Sequence, residues 1–62
     1  MKKVTVRKFT EMFFIKRFGK SYYKDNGYFN EWVERFKKDS MPPAADYQSM
    51  AVIYTLRKRY YY

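Results

Sequence analysis

The side chains that most often do chemistry are scarce in this sequence. It has no histidine and no cysteine. That removes zinc sites built from Cys or His, thiol nucleophiles and every triad that needs an imidazole base. The acids are Glu11, Asp25, Glu31, Glu34, Asp39 and Asp46, scattered along the chain. None falls in a calcium-loop spacing such as D-x-D-x-D-G. No nucleophile, base and orienting group stand together, so neither catalysis nor a metal, a cofactor or a small-molecule substrate is expected. What is abundant is positive charge and ring surface. Fourteen Lys/Arg stand against six Asp/Glu, a formal charge of +8, and aromatic residues make up 24% of the chain.

A cationic excess of this size gathers polyanions around a small domain; solubility alone is the competing explanation. The excess is uneven. Residues 1–24 hold Lys2, Lys3, Arg7, Lys8, Lys16, Arg17, Lys20 and Lys24 against Glu11. Residues 25–50 hold three cations against five acids. Residues 51–62 add Arg57, Lys58 and Arg59 with no acid. If the chain ends meet, as ends often do, these segments make one basic surface and the middle helix faces away. The expected partner is nucleic acid, DNA or RNA. It would be held through Lys2, Lys3, Arg7, Lys16, Arg17, Lys20, Lys24, Arg57, Lys58 and Arg59. Tyr22, Tyr23 and the tyrosines at 60–62 are interleaved with these cations, a combination that stacks bases and holds phosphates. Packing under a loop explains Tyr22 and Tyr23 equally well, and fraying explains the tail. No helix-turn-helix, RNP or Gly-rich phosphate signature is present, so backbone contact is expected rather than sequence reading.

The elements that must position these groups are helical. Sixty-two residues bound one small domain, and without disulfides its core must come from apolar bulk. Most of the aromatics are expected in that core. The first helix runs from Val6 to Phe18, with Thr5 as N-cap and Gly19 as the stop. Val6, Phe9, Met12 and Phe13 mark one apolar stripe. Phe14, Ile15 and Phe18 fall on another face, which is either packed on a second side or exposed. Residues 20–26 read as a loop closed by the turn signal Lys24-Asp25-Asn26-Gly27. The second helix spans Tyr28 to Lys38, with Phe29, Trp32, Val33 and Phe36 as a clean stripe. Asp39-Ser40-Met41-Pro42-Pro43 ends it, with Met41 expected to plug the core. The third helix starts at Ala44 or at Tyr47 behind Asp46, and ends at Arg59. Its expected core stripe is Tyr47, Met50, Ala51 and Tyr54, widened by Ile53 and Leu56. The ends, residues 1–4 and 60–62, are expected to be flexible, and a strand at Val4-Thr5-Val6 has no visible partner. The expected fold is an all-α, compact bundle of three to four short helices.

No targeting or spanning segment is expected. Lys2 and Lys3 look like the start of a signal peptide, but the polar Val4-Thr5-Val6-Arg7-Lys8 follows them. The longest apolar run, Met12 to Ile15, is far short of the ~20 residues needed to cross a bilayer. The segment Phe13 to Phe18 has the cationic, apolar make-up of a membrane-surface helix. The other two helices are ordinary core formers, however, so a membrane partner is not expected. The expected location is cytoplasmic.

Residues 29–54 carry a resemblance. They read FNEWVERFKKDSMP over 29–42, then D-Y-x-x-M-x-x-I-Y over 46–54. This resembles the YozE SAM-like family of small bacterial helical proteins. That family's pattern has an amphipathic helix, an Asp near Phe-Pro, then Asp-Tyr-x-x-Ile-x-x-Tyr-Leu. Thr5, Val6 and Phe9 match the family's Ser followed by aromatics, so the resemblance covers about residues 5–56. Met41 stands in place of the family's Phe, the Pro42–Asp46 spacing is one residue short, and this chain is basic where family members are acidic. The resemblance implies a bundle like a sterile alpha motif. Such folds serve protein–protein contacts and, in some cases, nucleic-acid binding, and the fold alone does not choose. The alternative to nucleic acid is therefore an adaptor or small regulator, of phage or mobile-element type. It would grip an acidic host protein with Phe14, Ile15 and Phe18 as its apolar patch.

Overall fold

The computed structural model describes residues 2–19, 26–38 and 46–62. Within them lie β1 (Lys2–Lys3), α1 (Val6–Phe18), α2 (Asn26–Lys38), α3 (Tyr47–Arg59) and β2 (Tyr60–Tyr61). Lys20, Tyr22, Tyr23, Lys24, the Asp39–Pro43 connection and the Met41 plug all lie outside the described residues.

α1 has the bounds that its caps predict. Thr5 Oγ1 accepts a hydrogen bond from the Lys8 N–H at 3.1 Å, satisfying one of the N–H groups a helix start leaves unpaired. Gly19 ends the helix by donating its N–H to the Phe14 and Ile15 carbonyls. Its φ of 104° with ψ 168° is a backbone region that only glycine enters without strain. α1 is the central helix, packed on two sides. Phe9, Thr10, Phe13 and Phe14 are buried. The buried Thr10 hydroxyl donates to the Val6 carbonyl at 2.8 Å and so leaves no unmet polar group.

α2 buries its predicted stripe of Phe29, Trp32, Val33 and Phe36 in full. It begins two residues earlier than expected. Asn26 and Gly27, read as part of a turn, form its first turn instead. First-turn N–H groups have no intrahelical acceptor in any helix, so turn-forming residues cost little there.

α3 has the predicted Asp46 cap and ends at Arg59, but it turns a different face inward. Ser49, Ile53 and Leu56 are buried. Tyr47 is 95% exposed and Tyr54 51%. Ala51 is exposed as well and Met50 is half-buried, so of the expected stripe the two residues that widen it, Ile53 and Leu56, are the ones that reach the core. Ile53 and Leu56 carry no polar tip, whereas a buried tyrosine must find a partner for its hydroxyl. Ser49 is tolerated inside because its hydroxyl accepts from Arg17 Nε at 3.1 Å.

The ring contacts set the helix directions. Phe9 meets Phe36 at 5.3 Å between centroids, while Phe14 meets Phe29 at 5.4 Å and Phe18 meets Tyr28 at 5.9 Å. α1 and α2 are therefore antiparallel. Arg17 near the end of α1 reaches Asp46 and Ser49 at the start of α3, so α1 and α3 are antiparallel too. α2 and α3 consequently point the same way. The chain is compact, with a radius of gyration of 10.6 Å, about what a close-packed chain of this length has, and three helices lie among its described residues.

The two ends depart from the expectation of loose tails. β1 and β2 pair in parallel, Lys2 opposite Tyr60 and Lys3 opposite Tyr61. The Val4 N–H extends the ladder to the Tyr61 carbonyl at 2.8 Å. Tyr62 then closes the core, its ring 4.9 Å from Phe9 and 6.1 Å from Phe36. Burial there raises the Tyr62 pKa, and the Arg57 charge opposes the shift. The strand weighed at Val4-Thr5-Val6 is displaced to Lys2–Lys3, because Thr5 is committed to capping and Val6 to the helix.

Candidate nucleic-acid interface

The ladder and the helix directions bring cations from four separate stretches to one end of the bundle. β1 supplies Lys2 and Lys3, and the first turn of α1 supplies Lys8. The last turn of α2 supplies Lys37 and Lys38, and that of α3 supplies Lys58 and Arg59. All seven side chains are exposed. Two acids temper this end. Glu11 pairs with Lys8 at 3.2 Å, and Glu34 with Lys37 at 3.7 Å. The C-termini of α2 and α3 lie here as well, and their partial negative charge accounts for some of the basic residues without any partner.

The predicted phosphate-binding residues that fall among the described residues divide into three groups. Lys2, Lys3, Lys58 and Arg59 are brought together. Lys16 is exposed but lies further along α1. There it shares with Arg59 a groove of about 140 Å³ between α1 and α3, lined also by Met12, Ile15, Thr55, Leu56 and Tyr60. Arg17 and Arg57 are half-buried and engaged within the fold, and Arg7 is exposed but laid against it. The Arg7 guanidinium lies over the Phe29 ring at 5.0 Å, and that of Arg57 over Tyr62 at 5.7 Å. Arg57 is half-buried, and its Nη1 finds no acceptor among the described residues. Lys20 and Lys24 are outside the described residues. Lys8, Lys37 and Lys38 were not among the expected site residues. Lys8 already stands in the basic segment 1–24, whereas Lys37 and Lys38 belong to the acidic segment 25–50 and only the antiparallel packing carries them to the basic end.

Arg17 is the clearest structural cation. Its guanidinium donates to Ser49 Oγ at 3.1 Å and to Asp46 Oδ2 at 3.0 Å, and it covers the Phe18 ring at 4.8 Å. It ties the end of α1 to the start of α3. Arg17→Ala is expected to lower the melting temperature while leaving the salt dependence of nucleic-acid binding unchanged. A thermal melt and a salt titration on the same variant check both halves.

Asp46 is held by the same clamp. The Ser49 N–H at 2.7 Å, then the Ser49 hydroxyl and the Arg17 guanidinium, lower its pKa from 3.8 to about 2. Folding lowers this pKa, so the carboxylate favours the folded chain at pH values above 3.8. That contribution fades as pH falls through about 2. Asp46→Ala should therefore melt below the parent chain at pH 7, with the gap narrowing between pH 4 and pH 2. A gap independent of pH would show that the charge is not what the cap contributes.

The apolar patch expected at Phe14, Ile15 and Phe18 does not form as such. Phe14 is core, and Phe18 is half-buried against Phe13 and Phe14. Ile15 alone is exposed, at 39%. Among the described residues no three His, Cys, Asp or Glu side chains stand close enough to hold a metal ion. No described helix is long and apolar enough to cross a membrane. No protein-family model, curated protein or solved structure matches the chain. The resemblance to the YozE SAM-like family therefore rests on the residues quoted for it.

Proposed function

We propose that this is a non-catalytic binding protein, acting in the cytoplasm, that takes nucleic acid at its basic end mainly through backbone phosphates. One observation carries the reading. The parallel ladder and the antiparallel helices gather Lys2, Lys3, Lys8, Lys37, Lys38, Lys58 and Arg59 at one end of a chain with a charge of +8. A solvated surface ordinarily mixes charges of both signs, whereas here Glu11 and Glu34 offset only Lys8 and Lys37, and the other five cations leave the positive excess that phosphate contact needs. Binding of this kind releases counterions, so it weakens steeply as salt rises. The test is a titration of labelled duplex DNA, single-stranded DNA and RNA at 50 and 200 mM salt. Absence of binding to all three at the lower salt would sink the reading.

A second reading is a protein-interaction adaptor, a small regulator of the phage or mobile-element type. The groove between α1 and α3 favours it, because exposed Ile15 lies in it between Lys16 and Arg59. That is a surface for an apolar side chain flanked by acids. A stoichiometric acidic protein recovered by pull-down, and retained after nuclease treatment, would select this reading over the first.

A further inference from the structure

The exposed tyrosines have a pattern that phosphate contact alone does not use. Tyr54 and Tyr61 are 51% and 45% exposed. Among the described residues no ring packs on either of them. Each stands beside a lysine. Tyr54 and Lys58 are four residues apart on the outer face of α3, which places their Cβ atoms about 6 Å apart. Tyr61 is the ladder partner of Lys3, and paired strand residues project on one side of a sheet. Tyr61 also follows Lys58 by only three residues. Two exposed rings thus flank the basic end, each with a lysine at a neighbouring position.

We infer that the nucleic acid bound at this end is single-stranded, with bases stacked on Tyr54 and Tyr61 and the adjoining phosphates held by Lys58 and Lys3. The inference rests on the nucleic-acid reading above and names the form that reading left open. A duplex keeps its bases stacked on each other and offers such rings nothing but sugar and phosphate. An unpaired strand offers the faces of its bases, which stack on aromatic side chains regardless of sequence. A second copy of this chain is the competing occupant for the same face. Two chains of +8 repel, which disfavours burying Lys58 and Tyr54 against another copy. Tyr47 is more exposed than either ring, but it sits at the far end of α3 beside Asp46. An acid in that position repels phosphate, so Tyr47 serves as an internal control.

The test is fluorescence anisotropy with a labelled oligothymidylate, an oligouridylate and a DNA duplex of equal length, at low salt. The expected order is single strands above duplex. Tyr54→Ala and Tyr61→Ala should each weaken single-strand binding by about five- to a hundredfold, with duplex binding little changed. Tyr54→Phe and Tyr61→Phe should keep the parent affinity, since the ring and not the hydroxyl stacks. Tyr47→Ala should cost less than about twofold if the ring there is unused. Both alanine positions are exposed, and a thermal melt confirms that the fold persists. Tighter duplex binding, or single-strand affinity indifferent to Tyr54 and Tyr61, would overturn the inference while leaving phosphate contact standing. An equal loss from Tyr47→Ala would overturn the siting. Failure of every probe to bind would remove the underlying reading with it.

Discussion

Phe13→Ala is expected to leave the chain largely unfolded at 37 °C. Phe13 is fully buried at the centre of the helix contacts. Its ring lies 4.9 Å from Trp32, 5.5 Å from Phe14, 5.9 Å from Phe36 and 6.1 Å from Phe18. Truncating such a side chain removes its transfer free energy and leaves a cavity, at a cost of about 3–5 kcal/mol. A chain of this length holds roughly 3–9 kcal/mol in total. The substitution therefore consumes most of the stability, and in a small domain it corresponds to a fall in melting temperature of ~15–30 °C. Phe13→Leu keeps most of the volume and should remain folded with a smaller loss. Ile15→Ala, on the exposed face of the same helix, should cost under about 1 kcal/mol. Urea denaturation followed by circular dichroism measures all three. A Phe13→Ala loss no larger than that of Ile15→Ala would mean that the aromatic cluster is not the core.

That cluster was largely legible in the sequence, and the reason is local. α1 is bounded by Thr5 and Gly19, whose capping roles depend on residues three to five positions away. α2 shows its core face because Phe29, Trp32, Val33 and Phe36 are the only large apolar residues on one stripe and charges fill the other. α3 was legible only in part: Ile53 and Leu56 are core as expected, but Tyr47 and Tyr54 are not. Two overlapping stripes exist on it, one through Tyr47 and Tyr54 and one through Ser49, Ile53 and Leu56. The choice between them is made by Arg17, which satisfies Ser49 from 32 positions away. A pairing at that separation leaves no periodic trace. The ladder was hidden for a related reason. Two-residue strands carry no readable alternation, and Lys2–Lys3 with Tyr60–Tyr61 pair from opposite ends of the chain.

The candidate site was legible only as charge. The expectation that both termini share a surface matches the ladder, which sets Lys2 and Lys3 beside Tyr60 and Tyr61 and so near Lys58 and Arg59. The expectation that α2 faces away holds for its middle, where Glu31 pairs with Arg35 at 3.5 Å, but not for its last turn. Lys37 and Lys38 follow Phe36, and Phe36 lies against Phe9 and Tyr62 at the basic end. Linear charge sums assign those lysines to an acidic segment, while helix direction assigns them to the site. The opposite error affected Arg17 and Arg57. Both stand in basic runs, yet their guanidinium groups are committed to Asp46 and Ser49 and to Tyr62.

Neutralising the basic end should have the largest effect on binding. Lys2→Gln, Lys3→Gln, Lys58→Gln and Arg59→Gln in one chain remove four exposed cations and no core contact. Each phosphate contact adds about 0.7 (single strand) to 0.9 (duplex) to the slope of log affinity against log salt. Losing four contacts lowers the slope by about 3, and the same relation gives a loss of roughly four orders of magnitude at 50 mM salt. The fold should persist, because the helix-end interactions removed are worth only about 0.3–1 kcal/mol each and the reduced self-repulsion offsets part of them. Net charge alone makes a different prediction, and a second variant separates the two. Lys16→Gln with Asn30→Glu, Gln48→Glu and Ala51→Glu lowers the charge by the same four units away from the basic end, at positions that are all exposed. If long-range attraction were the whole effect, both variants would bind equally weakly. If phosphates sit on Lys2, Lys3, Lys58 and Arg59, the second variant keeps nearly the parent slope and loses about tenfold or less, because charges beyond a Debye length of about 10 Å at 0.1 M salt are largely screened. Equal losses would remove the basic end as the binding site even if nucleic acid remained the ligand.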